Sequence, residues 1–129
     1  MKENKIGDQN STPIILPEQK VLKEWLDYNG HMNVAYYTLA FDKSLDIFLE
    51  DFLGIGETHA YENSQGPFVV QAHYHYLSEM KLNEKFNVRL FVVDCDKKKM
   101  HLCLEIFSQL QEKVIAVVEQ VLILSLIHI

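Results

Sequence analysis

The sequence has few of the residues that crosslink, break or anchor a chain. Its 129 residues include two cysteines, three prolines, five glycines and one tryptophan. Cys95 and Cys103 are too few for a disulfide framework and lack a C-x-x-C spacing, so we interpret both as packing residues. No apolar run approaches the ~18 residues of a membrane helix, and residues 1–12 lack the apolar run of a signal peptide. The sequence therefore predicts a cytoplasmic protein with no membrane partner.

Positive charge is also scarce. The chain has 12 Lys and Arg residues and 18 Asp and Glu residues, which gives a net charge of -6. An acidic chain repels phosphate backbones, so we expect no nucleic-acid partner. The length suits one domain of ~100–150 residues. An enzyme this small often borrows surface from a second subunit to build its site.

One long helical pattern stands out. Apolar residues recur at spacings of three or four, at Val34, Tyr37, Phe41, Leu45, Phe48 and Phe52. Asn33 is suited to the N-cap, and Gly54 or Gly56 to the end of the helix. The sequence predicts no other long helix.

The rest of the chain has the pattern of strands. Pro13 and Pro17 permit only an edge strand between them. Four further runs rich in aromatic and β-branched residues predict strands, at residues 68–76, 86–95, 100–107 and 114–123. We therefore expect an α+β fold, with one long helix wrapped by an antiparallel sheet of about five to six strands.

Three segments describe the domain organisation. Residues 1–12 are predicted to be a flexible tail and residues 13–123 the folded domain. Residues 124–129 extend the last strand with apolar residues, but the string resembles the translation of a sequencing adapter. We therefore treat 124–129 as a suspect tail and give His128 no functional role.

The loop before the helix carries the densest chemistry. Asp27, Asn29, His31 and Asn33 alternate directly before a helix N-terminus, where backbone N–H groups lack partners and the helix dipole is positive. Such N–H groups can polarise a carbonyl. A carboxylate can act as base or nucleophile, and an imidazole can move a proton. Taken singly, the same residues are also typical of a turn, a surface side chain and a cap.

The string D-Y-N-G-H-M-N-V-A-Y-Y at residues 27–37 resembles the signature of the 4-hydroxybenzoyl-CoA thioesterase-like hotdog family. It is most similar to the branch of betainyl-CoA thioesterases and the thioesterase domains fused to carnitine dehydrogenases. The similarity continues at residues 39–42, 72–77 and 101–102, and spans most of residues 18–123. The helix-head motif is the specific part of this resemblance.

The resemblance implies hydrolysis of an acyl-CoA to free acid and CoA, with no cofactor. It implies catalytic roles for Asp27, Asn29 and His31, whose D-x-N-x-H spacing is also similar to plant acyl-ACP thioesterases. Those enzymes place a catalytic Glu in a Y-x-x-E context, which Tyr76 and Glu79 match here. Glu79 is therefore a second candidate carboxylate, or else a solvated residue at a strand end.

Family members pair edge to edge into a continuous sheet, with sites at the dimer interface. The resemblance thus implies self-association into a dimer, or a tetramer of such dimers, and a Glu79 that reaches across the interface. Its other implied contacts are with substrate, at Gly30, Met32, Asn33, Val34 and Tyr37. The carbonyl oxygen is expected to face the N–H groups of residues 31–34.

Two other functions stay open at this point. One is a non-catalytic acyl-CoA sensor or scaffold, and the other is a 3-hydroxyacyl-thioester dehydratase of the same fold. His73 and His75 form an H-x-H pair on a strand, but spacing suggests no third ligand, so we expect no metal. Residues 97–99 form a basic turn, either a solvated tip or a contact for CoA phosphates. His59 and His101 have no recognisable context.

Overall fold

The computed structural model describes residues 12–56, 62 and 65–126. The predicted flexible tail falls outside this part of the chain except for Thr12, and so do His59 and residues 127–129. Within the described residues, no helix is both long enough and apolar enough to span a membrane.

The elements follow the predicted order. Helix α1 covers Val34–Ile47 and continues into one π-helical turn, Phe48–Phe52. A short 3-10 turn, Lys23–Trp25, precedes it. The strands in chain order are β1 Ile14–Ile15, β2 Gln19–Lys20, β3 Gln65–Tyr76, β4 Lys85–Cys95, β5 Lys99–Ser108 and β6 Lys113–Leu126. The predicted helix and all four predicted long strands are confirmed, each strand one to four residues longer than expected.

Both ends of the helical segment have a local cause. The Asn33 side chain accepts a hydrogen bond from the Ala35 N–H at 2.9 Å, which makes Asn33 the N-cap. At the other end Gly54 adopts a φ of 68°, the left-handed conformation that glycine tolerates best. Asn33 is thus confirmed as the N-cap, and Gly54 as the first of the two residues predicted to end the helix.

The sheet is antiparallel, with strand order β1-β4-β5-β6-β3 and with β2 also paired to β4. Strands β4, β5 and β6 form an antiparallel meander, and β1 lies at an edge, as Pro13 and Pro17 predicted. Strand β3 joins β6 rather than β4, its neighbour in sequence. Leu124, Ser125 and Leu126 pair with the first three residues of β3, so part of the suspect tail completes the sheet.

The core lies between α1 and one face of the sheet. Phe41 and Phe48 are 0% and 2% exposed. Apolar residues of β4, β5 and β6 meet them across the layer, including Val88, Leu90, Leu102, Leu104, Ile106, Ala116, Val118 and Leu122. The layer thus consists of one helical face packed on three long strands. This packing fixes the helix head relative to the end of β3.

Replacing Phe41 by Ala should lower the free energy of unfolding by about 3–5 kcal/mol, because it leaves a cavity in this layer. Leu110 is the matched control, since its side chain is 78% exposed in a turn. Leu110→Ala should change stability by less than about 0.5 kcal/mol. Urea unfolding monitored by circular dichroism measures both, and equal effects would contradict the layer described here.

Candidate active site

Asp27 organises the loop before α1. Its Oδ1 accepts hydrogen bonds from the backbone N–H groups of Asn29 and His31, at 2.8 and 3.3 Å. The backbone adds two more bonds, from Gly30 N–H to Asp27 O and from Asp27 N–H to His31 O, at 3.0 and 2.8 Å. Gly30 has a φ of 80°, which closes the turn at little cost only for glycine. One carboxylate oxygen therefore holds the loop, and Oδ2 has no hydrogen bond within the described chain.

The N–H groups at the helix head are mostly used within the chain. Three of the four expected donors have partners: those of His31, Met32 and Asn33 donate to Asp27 Oδ1, Met80 O and Trp25 O. The N–H of Val34, the first helical residue, has no partner in the described part of the chain, and its side chain is 55% exposed. Of the four N–H groups expected to face the carbonyl oxygen, only that of Val34 is therefore left without a partner in the described chain.

His31 lies beside Glu79. Its Nε2 is 3.4 Å from Glu79 Oε1, and the two side chains are 34% and 68% exposed. A backbone bridge between His31 and Lys81 fixes this approach. Glu79 and His31 of one chain therefore lie together, and a Glu79 that reaches a site across a dimer interface stays a prediction.

Met32 and Tyr37 lie beneath the loop. They are only 5% and 4% exposed, so in the single chain they support the site from below, and contact with substrate stays a prediction. Burial, followed by the negative charges of Glu79 and Glu84, raises the pKa of Tyr37, although a backbone hydrogen bond with Met80 opposes the shift. The phenol therefore stays protonated near neutral pH.

Sequence reasoning missed Glu84, a carboxylate that is only 7% exposed. Three groups donate to it: Ser108 Oγ at 2.6 Å, Gln111 Nε2 at 2.6 Å and the Lys81 N–H at 3.0 Å. Gln111 Nε2 also donates to Glu79 O at 2.8 Å. Glu84 thereby ties the segment that carries Glu79 to β5 and to the turn after it. The sequence gave no signal of this role, because two of the three partners of Glu84, Ser108 and Gln111, are distant in sequence.

Aromatic rings line the sheet next to the helix head. Tyr37 and Tyr76 meet edge to face at 5.5 Å, and Tyr76 stacks on Tyr74 at 6.1 Å. The ring of Phe41 lies 6.1 Å from Tyr74. Tyr76 is 45% exposed, so this aromatic strip of Tyr37, Tyr74, Tyr76 and Phe41 reaches the surface at the end of β3.

Strand β3 has a free edge. Within the described chain it pairs only with β6, through eleven of its twelve residues. Apolar side chains stand exposed on or just after it, at Phe68, Val69, Val70, Tyr76 and Leu77. A long, exposed, apolar edge is a template for another strand.

His73, one member of the H-x-H pair, belongs to a second polar cluster on the outer face of the sheet. Nε2 of His101 lies 2.5 Å from Glu119 Oε2, and a cavity of about 180 Å³ there is lined by Gln71, His73, His101, Glu119 and Val121. No group of three or more potential metal ligands occurs within the described residues. His101 is a residue whose partner the sequence could not indicate, since the contact depends on the β5-β6 register.

The remaining candidates lie in simple surroundings. Asn29 and Gly30 are exposed at the loop tip. Cys103 is buried, and burial, with the charges of Glu105 and Glu119, raises its pKa to about 12. A thiol kept protonated is a poor nucleophile, so the structure agrees with its interpretation as a packing residue. Cys95 is exposed.

Glu84→Gln should lower the free energy of unfolding by about 1–3 kcal/mol, because the new amide turns N–H groups toward donors and leaves bonds unmade. It should also loosen the segment that carries Glu79. Glu24→Gln is the control, since Glu24 is exposed in the 3-10 turn. Thermal and urea unfolding measure both variants, and a Glu84→Gln protein as stable as the control would refute the supporting role.

The sequence is similar to a known family of proteins and to two of its curated members. The family model for the thioesterase-like superfamily matches residues 21–126. Betainyl-CoA thioesterase of Pseudomonas aeruginosa is 28% identical over 106 residues, covering 82% of this chain and 66% of the relative. L-carnitine dehydrogenase/betainyl-CoA thioesterase of Rhizobium meliloti is 31% identical over 88% of this chain and 22% of its own length. The chain therefore spans 66% or less of the length of these two curated relatives.

A solved structure agrees with the sequence comparisons. A Staphylococcus aureus protein crystallised in complex with CoA has a TM-score of 0.81 and 25% identity, over 88% of this chain and 70% of that one. The long helix on a six-stranded antiparallel sheet is thus the hotdog fold. Family match and fold agree, and the chain belongs to the thioesterase-like superfamily of hotdog proteins.

Proposed function

We propose that this protein hydrolyses an acyl-CoA thioester to free acid and CoA at the loop that begins α1. One observation carries the proposal: the unpaired Val34 N–H and the free Oδ2 of Asp27 lie at opposite ends of one short loop that also presents His31 to Glu79. Membership of the thioesterase-like superfamily supports the reaction class.

In the proposed mechanism the thioester oxygen accepts a hydrogen bond from Val34 N–H, in the positive field of the helix end. Asp27 Oδ2 either takes a proton from a water that attacks the carbonyl carbon, or attacks that carbon itself. The C–S bond then breaks, and the leaving thiolate takes a proton delivered by His31, whose imidazole Glu79 orients. Where Asp27 itself attacked, the product of this step is a mixed anhydride on Asp27, which water hydrolyses to release the free acid and restore the carboxylate. Asn29, exposed at the loop tip, is proposed to orient the water or the thioester.

The free edge of β3 supports a dimer in which two copies pair through this strand. Antiparallel pairing would hydrogen-bond the open edge and cover the exposed apolar residues along it. The aromatic strip would then lie at the seam between two helices, where the acyl group is proposed to bind. A tetramer would need a further surface, for which the outer face of the sheet is available.

Asp27→Asn should lower kcat by roughly 10²–10⁴-fold. The amide oxygen of Asn can still accept from the Asn29 and His31 N–H groups, so the loop and the melting temperature should stay unchanged while the charge is lost. Asp51→Asn, an exposed carboxylate beyond α1, is the matched control and should keep wild-type turnover. Turnover by wild type and the two variants is measured as thiol release from a panel of acyl-CoAs.

Full activity in a folded Asp27→Asn protein would remove Asp27 from the mechanism. Acyl-CoA binding without thiol release from wild type would favour the sensor instead. Hydration of a trans-2-enoyl-CoA, again without thiol release, would favour the dehydratase.

We further propose a short acyl group bearing a quaternary ammonium. Both curated relatives are named for betainyl-CoA, and the aromatic strip presents ring faces of the kind that bind such cations. A cation–π contact of about 1–2 kcal/mol corresponds to roughly a 5–30-fold preference in kcat/KM.

The test compares betainyl-CoA with 3,3-dimethylbutanoyl-CoA, which has the same shape with carbon in place of the charged nitrogen. Wild type should prefer betainyl-CoA, and Tyr76→Leu should lose most of that preference while keeping turnover of the neutral thioester. Equal kcat/KM for both substrates in wild type would refute the proposed cationic acyl group. It would not bear on the proposal that the protein hydrolyses a thioester.

A further inference from the structure

A hollow of about 290 Å³ lies between α1 and the segment around β2. None of the residues proposed to act on the thioester lines this hollow. Strand β2 pairs with β4, on the opposite side of the sheet from β3 in the strand order. A dimer that pairs through β3 would therefore leave the hollow open to solvent.

Gln19 holds the two walls of the hollow together. Its Nε2 donates to Ala40 O and Ser44 Oγ on α1, both at 2.9 Å, and its backbone pairs with Phe86 of β4. Strand β2 is thus tied both to the helix and to the sheet. The hollow is therefore already formed in the free chain, so a ligand would not have to order its walls on binding.

Trp25 gives the hollow an aromatic wall. Its side chain is only 4% exposed, and its ring stacks on Tyr36 with 5.8 Å between the two centroids. Leu22 and Ile47 extend this apolar lining. The Nζ of Lys43 lies 5.7 Å from the centroid of the Trp25 ring. An apolar ligand in the hollow would thus contact the indole ring with an ammonium group beside it.

The free charge around the hollow is positive, in a chain whose net charge is -6. Lys20 and Lys43 both line it, both are exposed, and neither forms a salt bridge within the described chain. Glu18 is the third charged residue of the lining. Its carboxylate accepts a hydrogen bond from Gln109 Nε2 at 3.0 Å and lies 4.0 Å from Lys85 Nζ, so partners outside the hollow offset its charge. An apolar wall beside two unpaired ammonium groups is complementary to an anionic amphiphile.

We propose that this hollow binds a carboxylic acid with an apolar chain of about six to ten carbons. The carboxylate lies between Lys20 and Lys43, and the chain lies against Trp25, Leu22 and Ile47. A cationic ligand would be repelled by the two ammonium groups, and a neutral one would leave them without a partner. The inference does not rest on the proposed function, because the hollow and the helix-head loop share no lining residue.

Trp25 is the chain's one tryptophan, so its fluorescence reports directly on the hollow. Titration at fixed ionic strength measures the Kd of octanoate and of octan-1-ol for wild type, for K20Q/K43Q and for K98Q/K113Q. The last variant removes the same charge from exposed positions elsewhere. Wild type should prefer octanoate by roughly fivefold or more, because two ammonium groups face the carboxylate.

K20Q/K43Q should lose most of this preference with its affinity for octan-1-ol unchanged, whereas K98Q/K113Q should keep the preference within about twofold. Three results would each overturn the site: no saturable binding of octanoate to wild type, equal Kd values for the two ligands, or the same loss of preference in both variants.

Asp27→Asn shows whether the acid binds in the hollow or at the helix-head loop. This variant leaves the hollow unchanged, so it should bind octanoate with wild-type affinity. An acid at the helix-head loop would instead bind Asp27→Asn more tightly, because a negative charge beside the carboxylate is removed, and K20Q/K43Q would have no effect. That pattern would contradict the proposal. The measurements use no thioester, so they decide the hollow separately from the proposed hydrolysis.

Discussion

The hydrogen bond from Met32 N–H to Met80 O, at 2.9 Å, joins the two segments from which the candidate site is built. One is the loop closed by Asp27, and the other is the connection between β3 and β4 that carries Glu79. Both residues are buried, at 5% and 0% exposed, so the bond lies in a region of low dielectric where an unmade partner is costly. The approach of His31 to Glu79 and the free Val34 N–H both depend on this junction.

Much of the framework follows from local pattern. The period of apolar residues from Val34 onward, the amide of Asn33 and the glycine at position 54 each act within a few residues, so sequence was enough to predict the helix and its ends. The three hairpin-connected strands were predictable for the same reason. Asp27 was predictable as a turn residue and as a carboxylate at a helix head, and the structure shows that one oxygen can serve the first role while the other stays open.

The contacts that the sequence could not predict depend on the register between distant segments. The His31–Glu79 approach and the bonds from Ser108 and Gln111 to Glu84 each join residues separated by at least one whole element, and the His101–Glu119 contact joins two neighbouring strands. The number of available helix-head donors was overestimated for a related reason. Three of the four N–H groups have partners, two of which, Trp25 O and Met80 O, become neighbours only when the chain folds.

The pairing of β3 with β6 also sets an order of events on the ribosome. Strand β3 is made before the meander, but its only partner within the described chain is β6, the last of the described strands to be made. Until β6 emerges, Phe68, Val69 and Val70 have neither edge of their strand paired. Non-local pairing of this kind is slow and leaves apolar segments open to aggregation. The nascent chain therefore passes through a stage at which chaperone protection matters most, and that stage ends only when the residues after 120 have been synthesised.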